Sequence, residues 1–337
     1  MRHIFTMTLL TLVSAAFTLN GQTNDFYDDA PANPLKGNKT IFITGEVESE
    51  MTIDLNTLPL RSIIVKETTL SEGKVAFTGA YRYDGYSLYD ILDRIVLKKK
   101  NAEEYPPIID LYAEVSNDAG EKVVLSWGEL YYPNNRHAII IATSVTRIVP
   151  SKTRELWPLP AYNKLIVGTD LITVRNITNP AKITIRSLDS KYKITRDLSP
   201  MYSEKFSLGV NGSTLKEIAK LPEESTIYTY NTVFYGRGRG IHGTTPFTGI
   251  LLKDLLEGIY AMTADALQSG LVEVAGLDGY RGAFSLSEIV NRNDQQEILL
   301  IDRGEEEGSG RFSLFPSCDF FSDRAIKSIL DINLLLP

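Results

Sequence analysis

The densest group of residues able to do chemistry is Tyr235-Gly236-Arg237-Gly238-Arg239-Gly240-Ile241-His242-Gly243. Two guanidiniums and an imidazole on a glycine-rich run, with backbone N–H groups close by, are the parts of a phosphate, carboxylate or sulfate site. Gly238, Gly240 and Gly243 also spell G-x-G-x-x-G. A dinucleotide loop must open directly into a helix, so that its amides and the helix dipole face the pyrophosphate. Here Thr244-Thr245-Pro246-Phe247 intervenes and no acidic partner follows, so that reading is discarded. No G-K-[ST] is present, which removes a P-loop. The candidate binding residues are therefore Arg237, Arg239, His242 and Thr244. Arg281, which follows the turn at Asp278-Gly279-Tyr280, is assigned to the same cleft. No catalytic residue and no metal ligand is assigned. His137 and His242 lie far apart and no histidine pair has metal spacing. No G-x-S-x-G elbow occurs, although a Ser-His-Asp arrangement assembled only in three dimensions stays open.

The elements that must hold this loop are organised by a repeat. Phe77–Ile95, FTGAYRYDGYSLYDILDRI, aligns without a gap to Ile241–Ile259, IHGTTPFTGILLKDLLEGI. The pairing matches Gly79 with Gly243, Tyr83 with Phe247, Gly85 with Gly249, Leu88 with Leu252 and Asp90 with Asp254. In the first copy Leu88, Ile91, Leu92, Ile95 and Val96 follow helical periodicity, and Ser87 with Asp90 predicts an N-terminal cap. Further on, Ser285 and Glu288 answer Ser126 and Glu129, Gly279 answers Gly120, Pro316 answers Pro160 and Cys318 answers Tyr162. Strands are expected over 40–47, 61–67, 108–115, 122–127, 138–143, 170–176 and 181–187, then over 206–210, 226–234 and 298–301, with a helix over 215–221. The resulting division is a signal peptide over 1–22, a flexible leader over 23–38, one domain over 39–189, a linker over 190–204 and a second domain over 205–337.

The order of these elements, with Gly249-Ile250-Leu251-Leu252-Lys253-Asp254-Leu255-Leu256, Asp278-Gly279-Tyr280 and Ser285-Leu286-Ser287-Glu288, resembles the molybdopterin-binding domain of the sulfite oxidase family. That resemblance implies an α+β fold: two tandem domains of this type, with mixed sheets and short helices. It also implies molybdopterin as cofactor, held by a cysteine thiolate upstream of the repeated helix. Neither 60–92 nor 221–256 contains a cysteine; the single Cys318 lies far downstream. The cofactor is therefore left unassigned. The expected function is a non-catalytic binding or interaction module, with a molybdopterin-dependent oxidoreductase as the alternative. The expected partner is a small anionic ligand or a protein.

Composition narrows the class. A chain of 337 residues with a net charge of −7 has no basic surplus to neutralise phosphates, so a nucleic-acid partner is not expected. Arg2 precedes an apolar run over 4–17 that turns polar at Asn20-Gly21-Gln22, the pattern of an export signal. The run is too short to cross a bilayer and no later stretch replaces it. A periplasmic or secreted location follows as an expectation. One cysteine permits no internal disulfide, so stability must come from packed cores.

Overall fold

The computed structural model describes residues 31–195, 197–304 and 310–337. The expectations for the signal peptide and for the first half of the leader, residues 23–30, fall outside these residues. The first half contains β1 (Asn33–Pro34), β2 (Thr40–Gly45), β3 (Met51–Asp54), β4 (Arg61–Ser71), β5 (Lys74–Ser87), β6 (Leu111–Asn117), β7 (Lys122–Ser126), β8 (Ile139–Arg147), β9 (Lys164–Val167) and β10 (Pro180–Ser187). Its helices are α1 (Leu88–Leu92) and α2 (Trp127–Tyr131). The second half contains β11 (Phe206–Val210), β12 (Ser213–Ile218), β13 (Tyr228–Tyr230), β14 (Phe234–Gly236), β15 (Gly240–Gly243), β16 (Phe247–Leu251), β17 (Leu271–Gly276), β18 (Arg281–Ser285), β19 (Ile298–Asp302), β20 (Phe312–Pro316) and β21 (Ile329–Leu335). Its helices are α3 (Leu252–Leu256), α4 (Ala264–Ser269) and α5 (Leu286–Val290).

The expectation of an α+β fold is corrected. The chain is mostly β, 45% strand against 11% helical, in small sheets arranged like the blades of a four-bladed propeller. The helices have only five or six residues each. The reason lies at the segments expected to be loop or helix. The aromatic run Ala80–Ser87 joins a 14-residue strand, β5, because Tyr81 and Tyr83 bury one face while Arg82 and Asp84 sit on the other. The apolar stripe beyond it is a single turn closed by the Ser87 cap, whose Oγ accepts from Asp90 N at 3.1 Å. Leu215 belongs to a strand, not a helix: Asn211 and Gly212 take positive φ, 48° and 79°, and close a hairpin that pairs β11 with β12. An Asn-Gly pair between strand-forming runs is the strongest short hairpin signal, and it outweighs a weak helical period. The strand expected over 170–176 is irregular backbone.

Topology repeats between the halves. One sheet of the first half runs β3-β2-β10-β6-β7, and its counterpart runs β12-β11-β21-β17-β18. In each, a single parallel pair, β2 with β10 and β11 with β21, sits among antiparallel neighbours. The other sheets run β4-β5-β8-β9 and β13-β16-β19-β20. Gly85 and Gly249 now have a cause. A Cβ on Gly85 would lie 2.1 Å from Ile141 O, and one on Gly249 would lie 2.4 Å from Leu300 O. Each backbone crosses its neighbour too closely for a side chain. Register places Val167 opposite Ile139 and Pro316 opposite Ile298. Pro316 therefore answers Val167, and Cys318 answers Thr169, seven residues beyond the sequence pairing.

Each half has its own core, one around Ile43, Leu88, Leu125, Ile141 and Ile183, the other around Leu208, Leu252, Phe284, Leu300 and Ile332. A small apolar cluster, Val124 and Leu188 with Leu271 and Ala283, spans the two, and beside it lies a polar seam. Arg175, fully buried, is bidentate to Asp170 (2.8 and 2.7 Å), holds Glu129 (3.0 and 3.1 Å) and donates to Ser285 Oγ of the other half at 3.1 Å. Arg324, equally buried, is bidentate to Asp319 (2.8 and 2.8 Å) and holds Glu288 (3.1 and 3.0 Å). It donates to Ser126 Oγ of the first half at 3.2 Å. Glu129 and Glu288 are also the third residues of two capping boxes, returning to the N–H of Ser126 and Ser285. Backbone bonds follow the same exchange: Leu171 N donates to Asn291 O at 2.7 Å and Phe320 N to Tyr132 O at 2.7 Å. Buried ion pairs of this kind hold geometry and register, since their attraction is largely offset by desolvation.

Candidate functional site

The glycine-rich run forms a small hairpin, with Phe234 opposite Gly243, Tyr235 opposite Ile241 and Gly236 opposite Gly240. Gly240 takes φ +75°, which lets the chain reverse. A Cβ on Gly236 would stand 2.4 Å from His242 Nε2, so glycine there is what lets the imidazole lie across the hairpin. Arg237 is tied down: its Nε and Nη2 both lie 2.9 Å from Asp323 Oδ1, and its guanidinium sits 5.8 Å from the Tyr132 ring. Burial opposes the charge of Arg237, but Tyr132 and Asp323 outweigh it and raise its pKa. Arg239 and Thr244 are exposed to solvent.

Beside this hairpin is a cavity of about 260 Å³, walled by Phe234, Phe247 and Phe315 and rimmed by His242, Arg303 and Lys327. The phenylalanines pack edge to face, Phe234 on Phe247 at 5.2 Å and Phe247 on Phe315 at 4.5 Å. Arg303 lies 5.1 Å over Phe247 and donates to Ser313 Oγ at 3.1 Å. Among the described residues no carboxylate lines this cavity. Of the sequence candidates only His242 lines it. Arg237 faces Asp323 instead, and Arg239 and Thr244 line none of the cavities described in this section. Arg303, Lys327 and Phe315 were not legible as site residues, because the loops and strands of β19–β21 bring them together from positions with no shared motif.

Arg281 is elsewhere. Strand β18 begins at Arg281, and consecutive side chains on a strand face opposite ways. Tyr280 therefore turns to the hairpin side, where its hydroxyl donates to Asp323 O at 2.7 Å. Arg281 turns inward with 2% side-chain exposure and stacks 4.0 Å from the Tyr105 ring of the first half. It lines a second, larger cleft of about 740 Å³, walled otherwise by Ser190 and by residues of the first half. Lys99 shares that cleft, its Nζ 2.8 Å from Asp110 Oδ1, an ion-pair distance whose angles fall short of a hydrogen bond. Burial lowers the Lys99 pKa and raises that of Asp110, and in both the pairing only partly offsets it.

A Ser-His-Asp group does assemble, though not as a catalyst. Ser87 Oγ lies 3.0 Å from His137 Nδ1, and Asp90 Oδ2 lies 3.6 Å from the same nitrogen. A nucleophile's base must accept from serine on one nitrogen and be oriented through the other. Here both partners share one nitrogen, Ser87 is fully buried as a helix cap, and Asp90 is bound by Arg61 at 2.9 Å. The implied molybdenum cofactor fits no better. Cys318 is 2% exposed and bonded to Asp319 Oδ1 at 3.4 Å, and burial pushes its thiol well above the usual range. A metal-binding thiolate needs the opposite setting.

Among the described residues no group of three or more His, Cys, Asp or Glu is placed to hold a metal ion. Among them, too, no helix is long and apolar enough to cross a membrane. Compared with protein-family models and with curated proteins, the chain matches none of either.

Proposed function

We propose that this chain is a non-catalytic binding module, built of two like halves, that takes a small anionic ligand with a flat apolar body into the cavity beside the β14–β15 hairpin. The observation that carries the reading is the lining: three phenylalanines form the wall, and Lys327 and the His242 imidazole stand on the rim. Apolar walls supply burial, and a cationic group with a hydrogen-bonding ring beside it fixes the orientation of a carboxylate. A volume of about 260 Å³ suits a single substituted ring rather than a dinucleotide. Kinship with the sulfite oxidase family belongs to the same proposal and rests on the motifs Gly249–Leu256, Asp278–Tyr280 and Ser285–Glu288. An exported setting, periplasmic or secreted, is supported by the apolar run behind Arg2.

The test is calorimetric titration of the purified chain with benzoate, 4-hydroxybenzoate and indole-3-acetate. At least one should bind saturably, more weakly at high salt, and several-fold more weakly in Lys327→Ala and His242→Ala. Saturable binding that both substitutions leave unchanged, or no binding by any of the three, refutes the site. Stoichiometric molybdopterin in the purified protein refutes the non-catalytic reading.

A further inference from the structure

We propose that the first-half cleft into which Arg281 reaches is a second binding site, for a neutral polyhydroxylated ligand of the saccharide class. Its lining is strongly polar yet balanced: Lys99, Lys100, Arg186 and Arg281 face an equal number of carboxylates. Three of these charges, Lys99, Arg281 and Glu46, are already answered. Lys99 pairs with Asp110, Arg281 Nη1 donates to Tyr192 O at 2.9 Å, and Glu46 accepts from Ser187 N at 2.7 Å and from Lys100 N at 2.7 Å. A charged ligand would meet as much repulsion as attraction there.

What remains without a hydrogen-bond partner is one buried donor, Arg281 Nε, and three buried acceptors, Asn101 Oδ1, Asp110 Oδ1 and Glu273 Oε1. Arg281 Nε faces Glu273 Oε1 across 3.9 Å, too far to bond. Buried polar atoms left unpaired cost about 1–3 kcal/mol each, so the site is set to reward a partner. A hydroxyl donates and accepts at once, and adjacent hydroxyls on a ring offer both functions at short spacing. Tyr112, half-buried on the wall, supplies a flat face for the C–H side of such a ring. Stacking on Tyr105 fixes the Arg281 guanidinium in advance, which reduces the ordering cost of binding. A cleft of about 740 Å³ accommodates an oligosaccharide of a few rings.

The experiment titrates the full chain with maltotriose, cellotriose and N,N′,N″-triacetylchitotriose, read by calorimetry and by saturation-transfer NMR. At least one should bind saturably, with a Kd that stays the same between 50 and 500 mM NaCl because the ligand is uncharged. Asn101→Leu should weaken it about tenfold, the worth of one hydrogen bond to a buried group. Asn101 also donates to Asp110 at 3.0 Å, so that substitution touches the fold. Ala102→Trp, at an exposed position on the cleft lining, blocks the same space without touching the buried pairs, and should abolish binding. Three results overturn the proposal: no saturable binding by any of the three, which leaves the cleft to water; binding that persists in both variants; or binding that falls steeply with salt. None of them bears on the hairpin cavity, whose probes and variants are different.

Discussion

Replacing Arg324 with leucine removes the guanidinium that answers two carboxylates at once. Asp319 loses two bonds of 2.8 Å and Glu288 loses bonds of 3.1 and 3.0 Å, all in a region closed to water. Breaking one side of a buried ion pair costs about 3–5 kcal/mol, because the remaining charge is left without solvent or partner. For a chain of this size each kcal/mol lowers Tm by about 2 °C, so a fall of roughly 6–10 °C is expected at pH 7.5. The deficit should shrink at pH 5, since carboxylates freed of Arg324 take up protons more readily and the uncompensated charge disappears. Calorimetry of wild type and variant at the two pH values decides the matter. A loss below about 1 kcal/mol at pH 7.5, or a loss that does not change with pH, refutes the claim that this arginine neutralises the interior charge. Arg175→Leu should behave alike, and the double variant should fall short of the sum, because the two clusters share the Ser126 and Ser285 hydroxyls.

Three further outcomes follow from packing and protonation. Gly128→Ala puts a methyl 2.2 Å from the Arg324 guanidinium carbon, and overpacking there should cost about 1–3 kcal/mol in denaturant unfolding. Gly249→Ala drives a methyl to 2.4 Å from Leu300 O, so the β16–β19 register must shift; slower-than-native amide exchange at Ile250 and Leu251 would contradict this. Desolvation raises the Glu288 carboxyl from 4.5 to about 6, with Arg324 pulling the other way. A raised folded pKa contributes stability that is complete below pH 4.5 and is lost as pH rises through about 6. The unfolding free energy should therefore decline between pH 5 and 7.5 by roughly 1 kcal/mol through this group. Glu288→Gln, which keeps the capping box, should flatten that decline.

Much of the strand pattern was legible because alternation and β-branched runs report local burial directly. Strand β11 has the bounds expected from sequence, and β2, β7, β10 and β19 differ from expectation only at their ends. The paired glycines, Gly85 and Gly249, and the paired Ser-x-x-Glu boxes were visible as repeats before their purpose was. What failed was the weighting of helix. A five-residue stripe satisfies helical spacing yet is one turn, and an Asn-Gly hairpin was passed over at 211–212. The site was less legible than the fold. His242 could be picked out by its glycine-rich setting. Arg303 and Lys327 reach the same cavity through strand pairing, and nothing local marks them. Arg281, next to a turn, is expected in the cleft of the glycine-rich loop, but strand alternation turns it away from that loop and into the interior. One signal was available and unused: Asp170 with Arg175 and Asp319 with Arg324 have the same spacing.

Each half lends its cap serine to the other half's arginine, so neither is self-sufficient. A gene fragment coding for one half would not yield a smaller working protein. It would yield a domain with a guanidinium and two acids laid open on one face. A change at Ser126 or Ser285 in one half is therefore felt first by an arginine of the other, and the two serines tie the integrity of each half to its neighbour.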